Sequence, residues 1–112
     1  MDIDILRKKI GQLMVFGFNG KEMTADIKSM IHEYHLGNII LFGRNIGSPE
    51  EVLHLTSSLQ NEAKKSGQKQ PLLICTDQEN GAVRRLGEGC TVFPGAMLLG
   101  AAGDAQAVRE IG

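Results

Sequence analysis

The chain has 112 residues, of which 42% are hydrophobic and 22% charged, which is the composition of a folded domain and not of a disordered segment. Twelve basic against thirteen acidic side chains leave a net charge of −1, so nothing favours binding to nucleic acid or to an anionic membrane. No apolar run approaches the roughly 18 residues of a membrane span, and the acidic first residues do not resemble a signal peptide. We therefore expect a cytoplasmic protein, with Cys75 and Cys90 as reduced thiols.

The chain begins with a predicted helix and a predicted strand. Apolar residues recur every three or four positions from Asp2 to about Leu13, which predicts a helix with one apolar face. The short apolar stretch 14–18 then predicts a buried strand that ends in a turn at Asn19-Gly20.

A second helix and strand follow. Thr24 can cap the start of this helix, and Gly37 is expected to end it by adopting a positive φ. The stretch 38–42 is apolar on both faces, which is typical of a parallel strand covered by helices.

The third helix has the clearest sequence signals. Ser48 is a candidate cap, Pro49 suits the first helical position, and Gly67 is expected to end the helix. A third strand is predicted over 71–77. Residues 82–103 are predicted to be irregular, and Asp104 to cap a final helix that the chain leaves at Gly112.

Helices and strands thus alternate in the order that predicts a parallel α/β sheet with right-handed crossovers. Such sheets bind ligands at the carboxyl ends of their strands. Three segments are therefore expected to gather on one rim: Asn19-Gly20, Arg44-Asn45 and 77–85.

The sequence DQENG at 77–81 directly follows the third strand and supplies two carboxylates. Asp77 and Glu79 could share a face and perform acid–base chemistry or hold a cation. Alternatively, they could belong to a polar turn in which Asn80-Gly81 provides positive φ. Arg84-Arg85 could pair with these carboxylates, bind the oxygens of a ligand, or form a surface salt bridge.

Other chemistries lack their signatures. Neither the dinucleotide-binding nor the P-loop pattern of glycines is present. His32 and His35 lie on one side of the second helix, and His54 lies on the third, but no pattern of carboxylates or cysteines completes a metal site. We therefore expect no metal and no cofactor.

Several stretches of the sequence together resemble one enzyme family. They are IGQLMVFGFNG (10–20), LGNIILFGRNI (36–46), PLLICTDQENGAVRRL (71–86) and FPGAMLLG (93–100). In this order and spacing they resemble the N-terminal part of glycoside hydrolase family 3. The similarity is to its bacterial β-N-acetylglucosaminidase branch, in which a strand ends in D-[QH]-E-G-G-R-V-Q-R and an F-P-G-A-M-type segment follows.

The resemblance implies a fold and a binding site. The fold would be the three-strand N-terminal portion of a (β/α)8 barrel, with residues 1–112 forming an incomplete part of the barrel domain. Asp77 matches the family aspartate that hydrogen-bonds sugar hydroxyls, and Arg85 matches the last arginine of the motif, also a sugar-site residue. Asn80 and Ala82 depart from the motif, where the family has Gly and Arg.

The resemblance also implies a reaction, which is retaining hydrolysis of a terminal β-linked N-acetylhexosamine. The substrate would be a β-N-acetylglucosaminide or a sugar derived from the cell wall. The family nucleophile and its acid/base pair have no counterpart in these 112 residues, so no catalytic residue is assigned and the isolated chain is expected to be inactive.

A different class of function is also open. A half-barrel exposes an edge of its sheet, through which it could self-associate or bind a partner chain or a sugar without catalysis. An unrelated α/β domain with DQENG as a simple turn is the third interpretation.

Overall fold

The computed structural model of the chain describes residues 2–87 and 89–111. The chain forms two compact units, Met1–Thr76 and Asp77–Gly112. The first unit contains α1 (Ile3–Leu13), β1 (Val15–Phe16), α2 (Ala25–Tyr34), β2 (Asn38–Leu41), a 3-10 turn (Gly43–Asn45), α3 (Pro49–Lys65) and β3 (Leu73–Thr76). The second unit contains α4 (Ala96–Ala102) and α5 (Ala105–Ile111).

The first unit is built on a parallel sheet of three strands in the order β1-β2-β3. The central strand β2 pairs along its whole length with β3, from Asn38 opposite Leu73 to Leu41 opposite Thr76. Ten buried apolar residues from the helices, strands and connections form one core, namely Phe18, Ile27, Ile31, Leu36, Ile39, Leu41, Leu55, Leu59, Ala63 and Leu72. The predicted parallel α/β arrangement is therefore confirmed.

The predicted start of α3 is also confirmed. The Ser48 hydroxyl accepts a hydrogen bond from Glu51 N at 3.3 Å, and the Glu51 carboxylate accepts one from Ser48 N at 2.7 Å. This reciprocal pair is a capping box, and Pro49 occupies the first turn where no N–H is needed. At the other end Gly67 has φ +83, as expected of a residue that ends a helix.

The predicted end of α2 was wrong by two residues. His35, not Gly37, takes the left-handed conformation, with φ 54. The His35 carbonyl accepts a hydrogen bond from the Gln12 side chain at 2.9 Å. Gly37 packs against the same residue so closely that a Cβ there would lie 2.9 Å from Gln12 Cα. Gly37 is thus needed for close packing and not for positive φ.

Two further predictions require correction. The strand predicted over 14–18 is only Val15–Phe16 and is not buried, because it is an outer strand of the sheet: Val15 is 50% exposed and Phe16 39%. The region predicted as irregular contains α4, whose Ala, Leu and Met residues favour helix. Asp104 caps α5 as predicted, accepting hydrogen bonds from the backbone N–H of Gln106 and Ala107 at 3.0 Å each. Gly112, where this last helix was predicted to end, lies outside the described residues.

A buried carboxylate connects α2 to α3. Glu62 of α3 is 4% exposed, and its oxygens lie 2.8 Å from His32 Nε2, 3.2 Å from Lys28 Nζ and 3.5 Å from Lys65 Nζ. The hydrogen bonds from His32 and Lys28 lower the pKa of Glu62 to about 2. His32, one of the histidines considered as a metal ligand, thus pairs with a carboxylate between helices.

Acid should destabilise the protein partly through Glu62. Its pKa is lower in the folded chain than the ordinary 4.5, so its contribution to the free energy of unfolding is present above pH 4.5 and is lost as the pH falls toward 2. Glu62→Gln should be less stable than the wild type near neutral pH, and its stability should fall less steeply over that acid range. Urea unfolding at a series of pH values measures both effects.

The matched control is Glu22→Gln, which removes an exposed carboxylate outside this cluster. It should retain the acid dependence of the wild type. An identical slope for wild type and Glu62→Gln between pH 4.5 and 2 would contradict the role given to Glu62.

Candidate sugar-binding loop

The loops that follow β1 and β2 meet as predicted, through the side chain of Asn45. This residue is 1% exposed, and its Nδ2 donates to the carbonyls of Phe18 at 3.0 Å and Gly20 at 2.7 Å. Its Oδ1 accepts from Phe42 N at 2.9 Å. Arg44 Nε donates to the same Phe18 carbonyl at 2.9 Å, and its guanidinium lies 4.6 Å from the centre of the Phe42 ring. These two segments of the predicted rim are therefore in contact.

The third rim segment begins directly after β3 and belongs to the second unit. It opens with a tight turn in which Glu79 N donates to Val83 O at 2.9 Å and Val83 N to Asn80 O at 3.2 Å. Asn80 has φ 63 and Gly81 φ 58, so both residues adopt the positive φ that their sequence predicted. Asn is among the few residues that tolerate this conformation, so the departure from the family glycine at this position retains the turn.

A close approach between two glycines holds this turn against the F-P-G-A segment. A Cβ built on Gly81 would lie 3.3 Å from Gly95 Cα, and one built on Gly95 would lie 3.2 Å from Gly81 Cα. Glycine at both positions therefore lets the two backbone segments pass at a distance that side chains would prevent.

The Gln78 side chain connects the two ends of the loop. Its Oε1 accepts from Arg85 N at 2.8 Å and Leu86 N at 3.0 Å, and its Nε2 donates to Leu86 O at 2.9 Å. The sequence pattern alone indicated no role for Gln78. An amide beside a turn is a hint of backbone capping, but nothing in the spacing indicates partners seven and eight residues later.

The two predicted site residues, Asp77 and Arg85, lie at opposite ends of the loop that Gln78 closes. Within the described residues of this unit, neither Arg84 nor Arg85 forms an ion pair with Asp77 or Glu79. Arg85 is half-buried, and its Nε is buried without a hydrogen-bond partner in that part of the chain. Of the alternatives raised by the sequence, pairing of the arginines with these carboxylates is therefore not observed.

Within the described residues, the side chains of Glu79, Asn80 and Ala82 form no hydrogen bond that stabilises the loop. The Asn80 Oδ1 atom is buried and has no hydrogen-bond partner in the described segments. Glu79 and Ala82 are exposed, and no contact assigns them a role. Between residues 2 and 111, Glu88 aside, no group of three or more His, Cys, Asp or Glu side chains is arranged to hold a metal ion.

Comparison with known proteins identifies the class of molecule. Residues 5–112 match the model of the glycosyl hydrolase family 3 N-terminal domain. The chain therefore belongs to glycoside hydrolase family 3, and the interpretation as an unrelated α/β domain was wrong. A beta-hexosaminidase of Alkalilimnicola ehrlichii is 35% identical over 95 residues, which are 85% of this chain and 26% of that protein.

Solved structures agree with the predicted fold and with the β-N-acetylglucosaminidase branch of the family. A family 3 β-N-acetylglucosaminidase from Paenibacillus sp. FPU-7 is 50% identical with a TM-score of 0.84, over 90% of this chain and 19% of its own. A fungal multi-domain family 3 β-N-acetylglucosaminidase is 51% identical with a TM-score of 0.89, and the match covers 94% of this chain and 12% of the fungal chain. The predicted fold, the N-terminal three-strand portion of a barrel, is thus confirmed. The chain spans about a quarter or less of these relatives.

None of the helices in the described segments is long and apolar enough to cross a bilayer. The cytoplasmic location stays a prediction.

The glycine contact gives a test of the loop. Gly81→Ala places a side chain at φ 58 and 3.3 Å from Gly95 Cα, which should cost the turn about 1–2 kcal/mol. The amides of Glu79 and Val83, which close the turn, should then exchange their hydrogens roughly tenfold faster. NMR-detected hydrogen exchange measures this change.

Gly100→Ala is the matched control, because Gly100 lies within α4 and a Cβ there meets no atom within 4 Å. It should leave the exchange of both turn amides unchanged. Equal exchange rates in Gly81→Ala and the wild type would show that the glycine contact does not hold the turn.

Proposed function

We propose that the chain supplies part of the sugar-binding site of a glycoside hydrolase that removes terminal β-linked N-acetylhexosamine. The observation that carries this proposal is the loop after β3. Among the described residues, Asp77 and Arg85 of this loop form no ion pair, and Arg85 Nε has no hydrogen-bond partner, in the motif that the resemblance associates with sugar binding. The relatives described above are named beta-hexosaminidase and β-N-acetylglucosaminidase, which supports the substrate class of a β-N-acetylglucosaminide.

The chemistry of the two side chains suits an uncharged sugar. A carboxylate without a protein partner can accept hydrogen bonds from two neighbouring hydroxyl groups of one ring. A guanidinium carries five N–H donors in a fixed plane and can donate to hydroxyl or amide oxygens of the same ligand. Together they orient the ring and leave bond cleavage to other groups.

The reaction proposed for the family domain is retaining hydrolysis, in which a carboxylate forms a glycosyl-enzyme and a second group acts as acid and then as base. These 112 residues supply binding groups to that reaction. In this proposal residues 1–112 are one part of the barrel domain, and the nucleophile and the acid/base belong to parts with no counterpart in this sequence.

Substitution of Asp77 tests the binding role. Asp77→Ala should weaken the binding of N-acetylglucosamine by about tenfold or more, because a hydrogen bond to a charged group contributes roughly 1.5–3 kcal/mol. The dissociation constant is measured by NMR titration of the chain with the free sugar.

Glu79→Gln is the control, since Glu79 is an exposed carboxylate of the same loop to which we give no role. It should bind the sugar as the wild type does. If Asp77→Ala retains wild-type affinity, Asp77 is not a ligand of the sugar.

A second candidate function is self-association through the outer strand β1. This strand exposes half of Val15 and more than a third of Phe16, and the preceding helix α1 also exposes the apolar residues Ile3, Ile10 and Leu13. A second copy presents the same strand edge and the same apolar side chains, so two copies can pair about a two-fold axis. The occupant we propose for this edge is therefore a second copy of this chain.

Light scattering over a range of concentrations tests this second function. The wild type should show a mass that rises with concentration, and Val15→Lys should shift it toward the monomer, because a lysine on an edge strand opposes strand pairing. Leu53→Lys, on an exposed position of α3, is the matched control and should have no effect. A wild type that stays monomeric at all concentrations would rule out self-association.

A further inference from the structure

Within the described residues, the Gln78 carboxamide makes three hydrogen bonds, all to the backbone of Arg85 and Leu86. Two donors, Arg85 N and Leu86 N, converge on Oε1 at 2.8 and 3.0 Å, and Nε2 donates to Leu86 O at 2.9 Å. The two lone pairs of the oxygen are thus both used. A side chain bonded this way determines where the backbone of residues 85 and 86 lies relative to residue 78.

We call these three hydrogen bonds of Gln78 the clamp. The loop that the clamp closes carries both proposed sugar ligands. Asp77 precedes Gln78, and Arg85 is one of the two residues whose backbone Gln78 holds. The turn closed by Glu79 and Val83 occupies the middle of the loop. These hydrogen bonds therefore hold the backbone of Arg85 close to Gln78, the residue that follows Asp77.

Neither of the two described carboxylates of this loop, Asp77 and Glu79, holds the Arg85 side chain in place. It forms no ion pair with Asp77 or Glu79, and its buried Nε lacks a hydrogen-bond partner within residues 77–87 and 89–111. Its position consequently depends on its backbone, whose N–H donates to Gln78 Oε1 at 2.8 Å. In the described residues, neither carboxylate of the loop competes with a ligand for this guanidinium.

We propose that Gln78 is a positioning residue, which acts through Arg85 and sets the affinity of the loop for a sugar. This inference rests on the function proposed above. Without the clamp, the backbone groups of Arg85 and Leu86 turn to water and the loop samples other conformations. Binding must then order the loop, which weakens affinity even though no ligand-contacting atom has been removed.

Two substitutions separate the parts of the clamp. Gln78→Met keeps the length of the side chain and removes all three hydrogen bonds. Gln78→Glu keeps the acceptor for Arg85 N and Leu86 N but cannot donate to Leu86 O. It should therefore have an intermediate effect, and it serves as a second variant if Gln78→Met does not fold.

The experiment is a double-substitution cycle on the full chain, with the dissociation constant of N-acetylglucosamine measured by NMR titration. Gln78→Met should weaken binding about tenfold, as expected for the loss of several net hydrogen bonds. In an Arg85→Met background the same substitution should have little further effect, because the residue through which Gln78 acts is already gone. In the same spectra, the Arg85 and Leu86 amides should exchange faster in Gln78→Met.

Gln106→Met is the matched control, because the Gln106 amide contacts Glu110 on its own helix α5. It should change neither affinity nor the exchange of Arg85 and Leu86. Equal weakening by Gln78→Met with and without Arg85 would overturn the positioning role and indicate general disruption. Unchanged affinity despite freed amides would overturn it as well. A wild type that binds no N-acetylglucosamine would refute the proposed function together with this inference, whereas the first two outcomes leave the proposed function intact.

Discussion

Where the chain leaves a parallel sheet, its backbone N–H and C=O groups no longer form hydrogen bonds with a neighbouring strand. In the loops that follow the strands, these groups need other hydrogen-bond partners. Burial makes this requirement strict, because an unpaired N–H or C=O away from water costs about as much as a lost hydrogen bond. In this protein two side-chain amides meet the requirement. Asn45 binds three backbone groups after β1 and β2, and Gln78 binds three backbone groups after β3.

The polar loops contrast with the layer of helices in the first unit. There apolar side chains of α2 and α3 pack in the core with those of the strands and connections, and one buried carboxylate, Glu62, connects the two helices through Lys28 and His32. Glu62 is buried whereas its cationic partners are partly exposed, so loss of these partners would leave a buried carboxylate without compensation and weaken the contact between the two helices. The helix layer thus fixes β2 within the sheet, and the amides then give the following loops a defined shape.

Local signals in the sequence predicted most of the elements, and contacts distant along the chain account for the errors. The start of α3 at Ser48-Pro49 and the positive φ of Asn80-Gly81 depend on one to four neighbouring residues, so the sequence alone reveals them. The end of α2 depends on Gln12, which binds the His35 carbonyl from another helix. Likewise β1 is apolar enough for a central strand, but its position at the edge of the described sheet leaves it exposed. The same contrast holds for the candidate site. The family motif indicated Asp77 and Arg85, whereas only the folded loop reveals the hydrogen-bond partners of Gln78.

We propose that the loop after β3 is a sugar-binding loop that is already shaped before the ligand arrives, and that Asp77 and Arg85 contact the same sugar. The most direct test is a crystal structure of the chain with N-acetylglucosamine. We expect hydroxyl groups of one sugar ring within hydrogen-bond distance of both the Asp77 carboxylate and the Arg85 guanidinium. A sugar bound elsewhere, with both side chains in solvent, would contradict this proposal.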